Sequence, residues 1–209
     1  MQSFQHLLTT EAEVREIVGE PMERSVLKEK DVIDSFCRGF IACSPFLMMA
    51  TSAPDGTCDV SPKGDAPGFV RVLDEKRLAI PERNGNRRLD SIKNLLANPH
   101  IGLIFIIPGC DFTLRINGRG CITRDPELLS ALAAQGVTPQ FAIGVEVEQT
   151  FFHCVKAFRR AKLWAHQEWP NTDVLPSYAC TLFNQIKPAN ATLEDYERVI
   201  SESNAKLYV

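Results

Sequence analysis

Three short stretches of the chain carry residue types suited to holding an anion or a flat ligand. The first is Ser61-Pro62-Lys63-Gly64-Asp65-Ala66-Pro67-Gly68-Phe69-Val70-Arg71. Its glycines and prolines predict an irregular loop over residues 61–68, with backbone that lets a planar ligand come close and offers free N–H donors. Lys63 adds a compact positive charge. A tight surface turn with a solvated lysine reads the same residues equally well. The second is Ile80-Pro81-Glu82-Arg83-Asn84-Gly85-Asn86-Arg87-Arg88-Leu89-Asp90. Arginines and asparagines surround a glycine just before a predicted helix. A helix start adds orphan N–H groups and a partial positive charge, and arginine forks bind phosphate bidentately. The pattern G-x-x-x-x-G-K-[ST] is absent, as is the dinucleotide-fold spacing, so this is not a nucleoside-triphosphate loop. The alternative is a solvated basic turn. The third is Thr113-Leu114-Arg115-Ile116-Asn117-Gly118-Arg119-Gly120. Along a strand, Thr113, Arg115 and Asn117 share one face. Such a stripe lines a cleft or faces water, and spacing alone does not decide.

One further segment, Phe152-His153-Cys154 through Trp164, brings a histidine beside a cysteine. Sequence neighbours rarely converge on one point, and no third partner is visible, so neither a metal site nor a Cys–His nucleophile is read here. Lys156, Arg160 and Lys162 form a basic stretch that either caps a partner's site, binds an anionic substrate or faces water.

The elements that must position these residues follow from pattern. Thr10, Glu11 and Glu13 predict a capped helix running to about Gly19, and apolar spacing predicts a second helix over residues 29–42. Short strands come next. Phe46–Ser52 and residues 57–60 flank the turn Pro54-Asp55-Gly56, and residues 68–73 and Arg77–Pro81 flank another at Asp74-Glu75-Lys76. Residues 89–97 read as a helix ending at Asn98-Pro99. Residues 100–107 and 112–123 read as long strands, Asp125-Pro126-Glu127 opens a short helix ending near Gly136, and residues 141–148 are a last strand. Residues 151–163 are helix or turn. The tail from Pro176 is helical, with a cap at Thr192. This order predicts a mainly β chain with flanking helices, built as a small antiparallel, Greek-key-like barrel. The predicted organisation is one domain over residues 1–209, with a helical segment (1–44) packed on it and a helical tail (176–209).

The 209 residues suffice for a core without staples. The net charge of -3 gives no general pull toward nucleic acid or an anionic membrane. Seven cysteines, an odd number with no CxxC pair, predict a reduced, cytoplasmic compartment and no zinc site. The first residues have neither a basic lead nor an apolar core, so no signal peptide is expected, and no apolar run is long enough to span a bilayer.

The three segments, in the forms SPKGD-x-PGFV, IPxRxGNRR-x-D and LRxNGR, recur in order over roughly residues 30–165. In this the chain resembles the pyridoxamine-phosphate-oxidase-like family of FMN-binding split β-barrels, and most closely an uncharacterised branch of it. The resemblance implies a homodimer with one FMN in each of two interface clefts. It implies that Asn86, Arg87 and Arg88 hold the flavin phosphate, and that Ile80, Pro81 and Glu82 run along the ring. Ser61 and Lys63 then approach the ring's polar edge, and Thr113 and Arg115 contact flavin or phosphate. Lys63 and Arg115 are the residues expected to stabilise reduced, anionic flavin. The Trp…Arg-Leu…Pro arrangement that holds substrate in true pyridoxamine phosphate oxidases is missing, so vitamin B6 oxidation is not implied. The expected function is an FMN-dependent oxidase or reductase of unknown substrate. The alternative is a flavin- or haem-binding split barrel, for storage, sensing or haem breakdown, with His153 as the candidate haem ligand.

Overall fold

The computed structural model describes residues 4–208. Two helices come first, α1 (Glu11–Val18) and α2 (Glu23–Leu27), and neither buries a residue. Thr10 closes α1 with a capping box, its hydroxyl accepting from the Glu13 amide. The helix α3 (Ser35–Cys43) then buries Cys37, Phe40 and Ile41. It begins six residues later than the pattern predicts. Lys30 is held extended by two backbone hydrogen bonds with Thr150, and Asp34 caps the helix by accepting from the Cys37 amide at 2.9 Å. Lys30 beside it, then that amide, hold the Asp34 carboxyl down to about 2.

The core is one antiparallel sheet in the order β2-β1-β5-β6-β7-β4-β3. Its strands are β1 (Phe46–Ser52), β2 (Cys58–Gly64), β3 (Arg71–Val72), β4 (Arg77–Pro81), β5 (His100–Ile106), β6 (Leu114–Thr123) and β7 (Ala142–Phe152). Helices α4 (Asp90–Ala97) and α5 (Pro126–Ala131) interrupt the series. Alternation writes the sheet. Leu47 and Met49 of β1, Leu103 and Phe105 of β5, and Leu114 and Ile116 of β6 are fully buried on one face, and their neighbours lie on the other. The sheet wraps this core without closing. Beyond it lie α6 (Lys156–Arg160), a 3-10 turn at His166–Glu168, and the pair α7 (Tyr178–Ile186) and α8 (Leu193–Asn204). Among the described residues, no helix is long and apolar enough to cross a membrane.

Several boundaries differ from the sequence pattern. Ser61–Gly64, expected in a loop, continue β2, with Pro62 opposite Met48. Proline fits because β2 is an edge strand and its missing N–H breaks no second ladder. The strand expected over 68–73 shrinks to Arg71–Val72, and the last strand runs on to Phe152. The helix expected to end near Gly136 stops at Ala131.

β6 and β7 slip register between Asn117 and Gly118. There the backbones approach so closely that a Cβ on Gly118 would lie 2.0 Å from the Glu146 carbonyl oxygen. Gly118→Ala is therefore expected to destabilise the protein by about 1–3 kcal/mol or more in urea unfolding. Gly39→Ala, in α3 with nothing within 4 Å of its Cβ position, is expected to stabilise by roughly 0.5–1 kcal/mol.

Candidate functional site

The open seam of the sheet forms a cavity of about 930 Å³. One wall is the edge strand β2. Asp59, Ser61 and Lys63 share the face that β1 presents inward, since they pair with Thr51, Met49 and Leu47. The other wall is the connection 82–89 and the start of α4. Gln140, Phe141 and Ser203 complete the lining.

The helix α4 is fixed to the sheet by a polar stripe at helical spacing. Ser91 Oγ donates to Asp59, Asn94 Nδ2 to Thr51 Oγ1 at 3.1 Å, and Asn98 Nδ2 to the Ser52 carbonyl at 3.0 Å. On its apolar side Leu95 lies over Gly120, where a Cβ would sit 2.8 Å from the leucine. The start of α4 is thereby aimed at the cavity. Its N-cap, Leu89, supplies no side-chain bond, so first-turn N–H groups lack a capping side chain. Arg87 and Leu89 both have φ of 59°. Left-handed backbone at a bulky residue costs of order 1 kcal/mol or more, and such turns form anion-binding concavities.

Two ion pairs cross the seam. Lys63 Nζ lies 2.7 Å from Glu82 Oε2, with both side chains largely buried. Arg83 Nε lies 2.7 Å from Asp65 Oδ2, and the Asp65 side chain is only 2% exposed. Burial pushes the Asp65 carboxyl up. Hydrogen bonds from the Tyr208 hydroxyl, the Ala66 amide and Arg83 outweigh burial and hold the carboxyl below its ordinary value. Arg83 also donates to the Leu132 carbonyl at 3.0 Å, while its Nη1 is buried with no partner among the described residues. Arg88 is paired with Asp90 at 2.7 Å. Of the four lining cations, Arg87 alone has no ion pair among the described residues.

The structure thus brings Ser61, Lys63, Glu82, Asn86, Arg87 and Arg88 to one cavity. Pro81 lines an adjoining cavity of about 370 Å³. Ile80 is fully buried in the core, so only its backbone is near the site. Thr113 and Arg115 do not line the cavity. Thr113 is buried, and its carbonyl accepts from the His153 amide. Arg115 lies on the outer face of β6, its guanidinium 4.0 Å over the Phe151 ring and bonded to Gln149 at 2.9 Å. His153 also lies away from the cavity, against Phe151. Burial, then the charges of Arg115 and Lys28, push its imidazole below the ordinary value. Among the described residues, no three His, Cys, Asp or Glu side chains gather as a metal site.

Sequence reasoning passed over Asp59, Ser91 and the distant Ser203 and Tyr208, and it singled out the segments holding Asp65 and Arg83 without giving either a role. Asp59 was within reach, because it stands two residues before Ser61 on a strand. Tyr208 carries no local signal.

The family model described as pyridoxamine 5'-phosphate oxidase matches residues 33–154. No curated protein matches the chain. Among solved structures, HupZ of Group A Streptococcus is 23% identical, with 57% of this chain and 93% of that chain covered and a TM-score of 0.46. A putative pyridoxamine 5'-phosphate oxidase from Lactobacillus delbrueckii is 18% identical, with 58% and 95% covered and a TM-score of 0.47. An FMN-binding protein from Syntrophomonas wolfei is 10% identical, with 68% and 96% covered and a TM-score of 0.45.

Arg83→Ala leaves the Asp65 carboxylate buried without its cation and is expected to cost about 3–5 kcal/mol at pH 7. Because the folded carboxyl sits below its unfolded value, its contribution is present at neutral pH. It is lost as the pH falls through the depressed folded value. Urea unfolding of wild type and variant at pH 7 and near pH 3 should show the gap narrowing in acid. An equal gap at both pH values would place the cost elsewhere.

Proposed function

The chain belongs to the pyridoxamine 5'-phosphate oxidase family, and from that membership we propose that it holds FMN in the seam cavity and works as a homodimeric, FMN-dependent oxidoreductase on a small organic substrate. The observation that carries this reading is Arg87. Among the described residues it is the cavity cation without an ion pair, set in left-handed backbone two residues before the uncapped helix start. An unpaired arginine beside open N–H groups is a phosphate site in both charge and hydrogen bonding.

The residues fit the group. The cavity lies within the ~300–1,000 Å³ range of cofactor and ligand sites. Asn86 accepts from the Arg88 amide at 3.0 Å and so shapes the turn. Arg87 and Arg88 would grip the phosphate, while Ser61, Lys63, Pro81 and Glu82 would line the ring. FMN, when bound, supplies hydride or single-electron transfer. Lys63 enters that role differently from the sequence expectation. Glu82 offsets its charge at 2.7 Å, so the pair presents a donor with little net field. The missing Trp…Arg-Leu…Pro arrangement argues against pyridoxamine phosphate as the substrate. The cofactor assignment predicts a flavin spectrum from the purified protein, and a haem spectrum would overturn it.

Arg87→Ala combined with Arg88→Ala should weaken FMN far more than riboflavin, which lacks the phosphate. Each charge-assisted bond lost is worth ~1.5–3 kcal/mol, or roughly tenfold or more in affinity. Equal loss of both ligands, measured by fluorescence titration, would mean that the arginines act on the fold.

The homodimer is proposed from the outer face of the sheet. Register aligns Pro62, Met48, Ile104, Arg115 and Phe151 in one row across β2, β1, β5, β6 and β7. Val60 and Ile104 on that face are exposed. A second copy over this face buries the apolar row. Arg115 then reaches a flavin only across the interface, in the partner's cavity. Ile104→Arg is expected to convert a dimer to a monomer at micromolar concentration in equilibrium sedimentation. A wild-type monomer carrying FMN would overturn the proposal.

A further inference from the structure

The helices α7 and α8 pack on each other, with Phe183 against Tyr196 at a ring-centroid distance of 5.6 Å. α8 buries no residue, and α7 buries only Ala179. Among the described residues, a single hydrogen bond joins residues 171–208 to the barrel. The Tyr208 hydroxyl donates to Asp65 Oδ1 at 2.6 Å. The Tyr208 ring also lies against the Arg83 guanidinium, 5.7 Å from its centroid. Ser203, near the end of α8, lines the seam cavity. The segment that walls the cavity is thus anchored on the same buried carboxylate that holds Arg83.

We propose that residues 193–208 form a gate on the seam cavity, latched by Tyr208 on Asp65, which opens to admit and release the ligand. This rests on the reading that FMN occupies the cavity. A segment with one polar anchor and few buried apolar groups belongs to the low-stability end of a fold. Closure also leaves Arg83 Nη1 buried with no hydrogen-bond partner among the described residues. Opening lets water reach that donor, which offsets part of the loss of the tyrosine–carboxylate bond. Asp65 keeps its Arg83 partner when the latch opens, so the wall stays charge-balanced. α8 carries its own capping box at Thr192 and Asp195, so it can move as an intact helix. The Tyr208 hydroxyl is pushed above its ordinary value by Asp65, as a donor to a carboxylate should be.

The test is Tyr208→Phe, which keeps the ring against Arg83 and removes the hydroxyl. A gate slows entry and exit alike. Stopped-flow association and dissociation of FMN should therefore both speed up by about tenfold, with Kd within roughly threefold, because the lost bond is charge-assisted. Hydrogen exchange of amides 193–208 in the ligand-free chain should also accelerate. Faster dissociation alone would make Tyr208 a direct contact and overturn the gate, as would unchanged rates with unchanged exchange. Faster exchange in the variant, with no FMN binding by wild type, would keep the latch and overturn the cofactor reading instead.

Discussion

The seam between the edge strand β2 and the chain leaving β4 is the constraint on which the rest of this molecule depends. The strands wrap a core of Leu47, Met49, Leu103, Phe105, Leu114 and Ile116 but do not close. An unclosed edge leaves unpaired N–H and C=O groups and a gap in the wall. Here side chains span the gap: Lys63 to Glu82, and Arg83 to Asp65. Desolvating such charges is costly, and the cost is offset only when each finds its partner and its hydrogen bonds. Asp65 does so fully, with Arg83, Tyr208 and the Ala66 amide around it. The seam therefore holds as a polar, charge-balanced cleft, which can take a polar ligand without losing the core.

The placement of the cleft's far wall follows from α4. Its polar stripe, Ser91, Asn94 and Asn98, is tied to Asp59, Thr51 and Ser52. Its apolar side rests on Gly120, where an added Cβ would press on the Leu95 side chain. With the helix fixed at both faces, the chain entering it must turn sharply, and it does so through left-handed Arg87 and Leu89. Strain of this kind persists only where the surroundings impose it. The consequence is an arginine held at a helix start with no carboxylate partner among the described residues.

A second polar group lies on the opposite side of the sheet. Arg115 and Asn117 both donate to Gln149 Oε1 there, with Phe151 and His153 beside them. Within one chain this group and the seam do not meet. The proposed second copy gives the outer group a cavity to face and the apolar row a cover.

Much of the fold was legible in the residues. Period-two burial marks the strands because one sheet face is dry. Thr10, Asp125 and Thr192 cap helices as their side-chain chemistry predicts, whereas the cap at Asp34 lay inside the helix expected over residues 29–42. The family match over residues 33–154 agrees with the span of the three recurring segments. The run of arginines before a helix was legible as a candidate anion site, because helix starts and guanidinium groups favour negative charge in any fold. What the sequence could not determine was pairing over distance. Periodicity says that Lys63 and Ser61 share a face, but not that Glu82 waits across an open seam. It says that Thr113 and Arg115 lie on a strand, but not that Thr113 is buried or that Arg115 faces away from the cavity. Nothing local marks Tyr208 as the partner of Asp65. Those contacts depend on strand register and on where the sheet stops. Both are set by the packing of the whole core, so only the tertiary structure decided which arginines are ion-paired among the described residues.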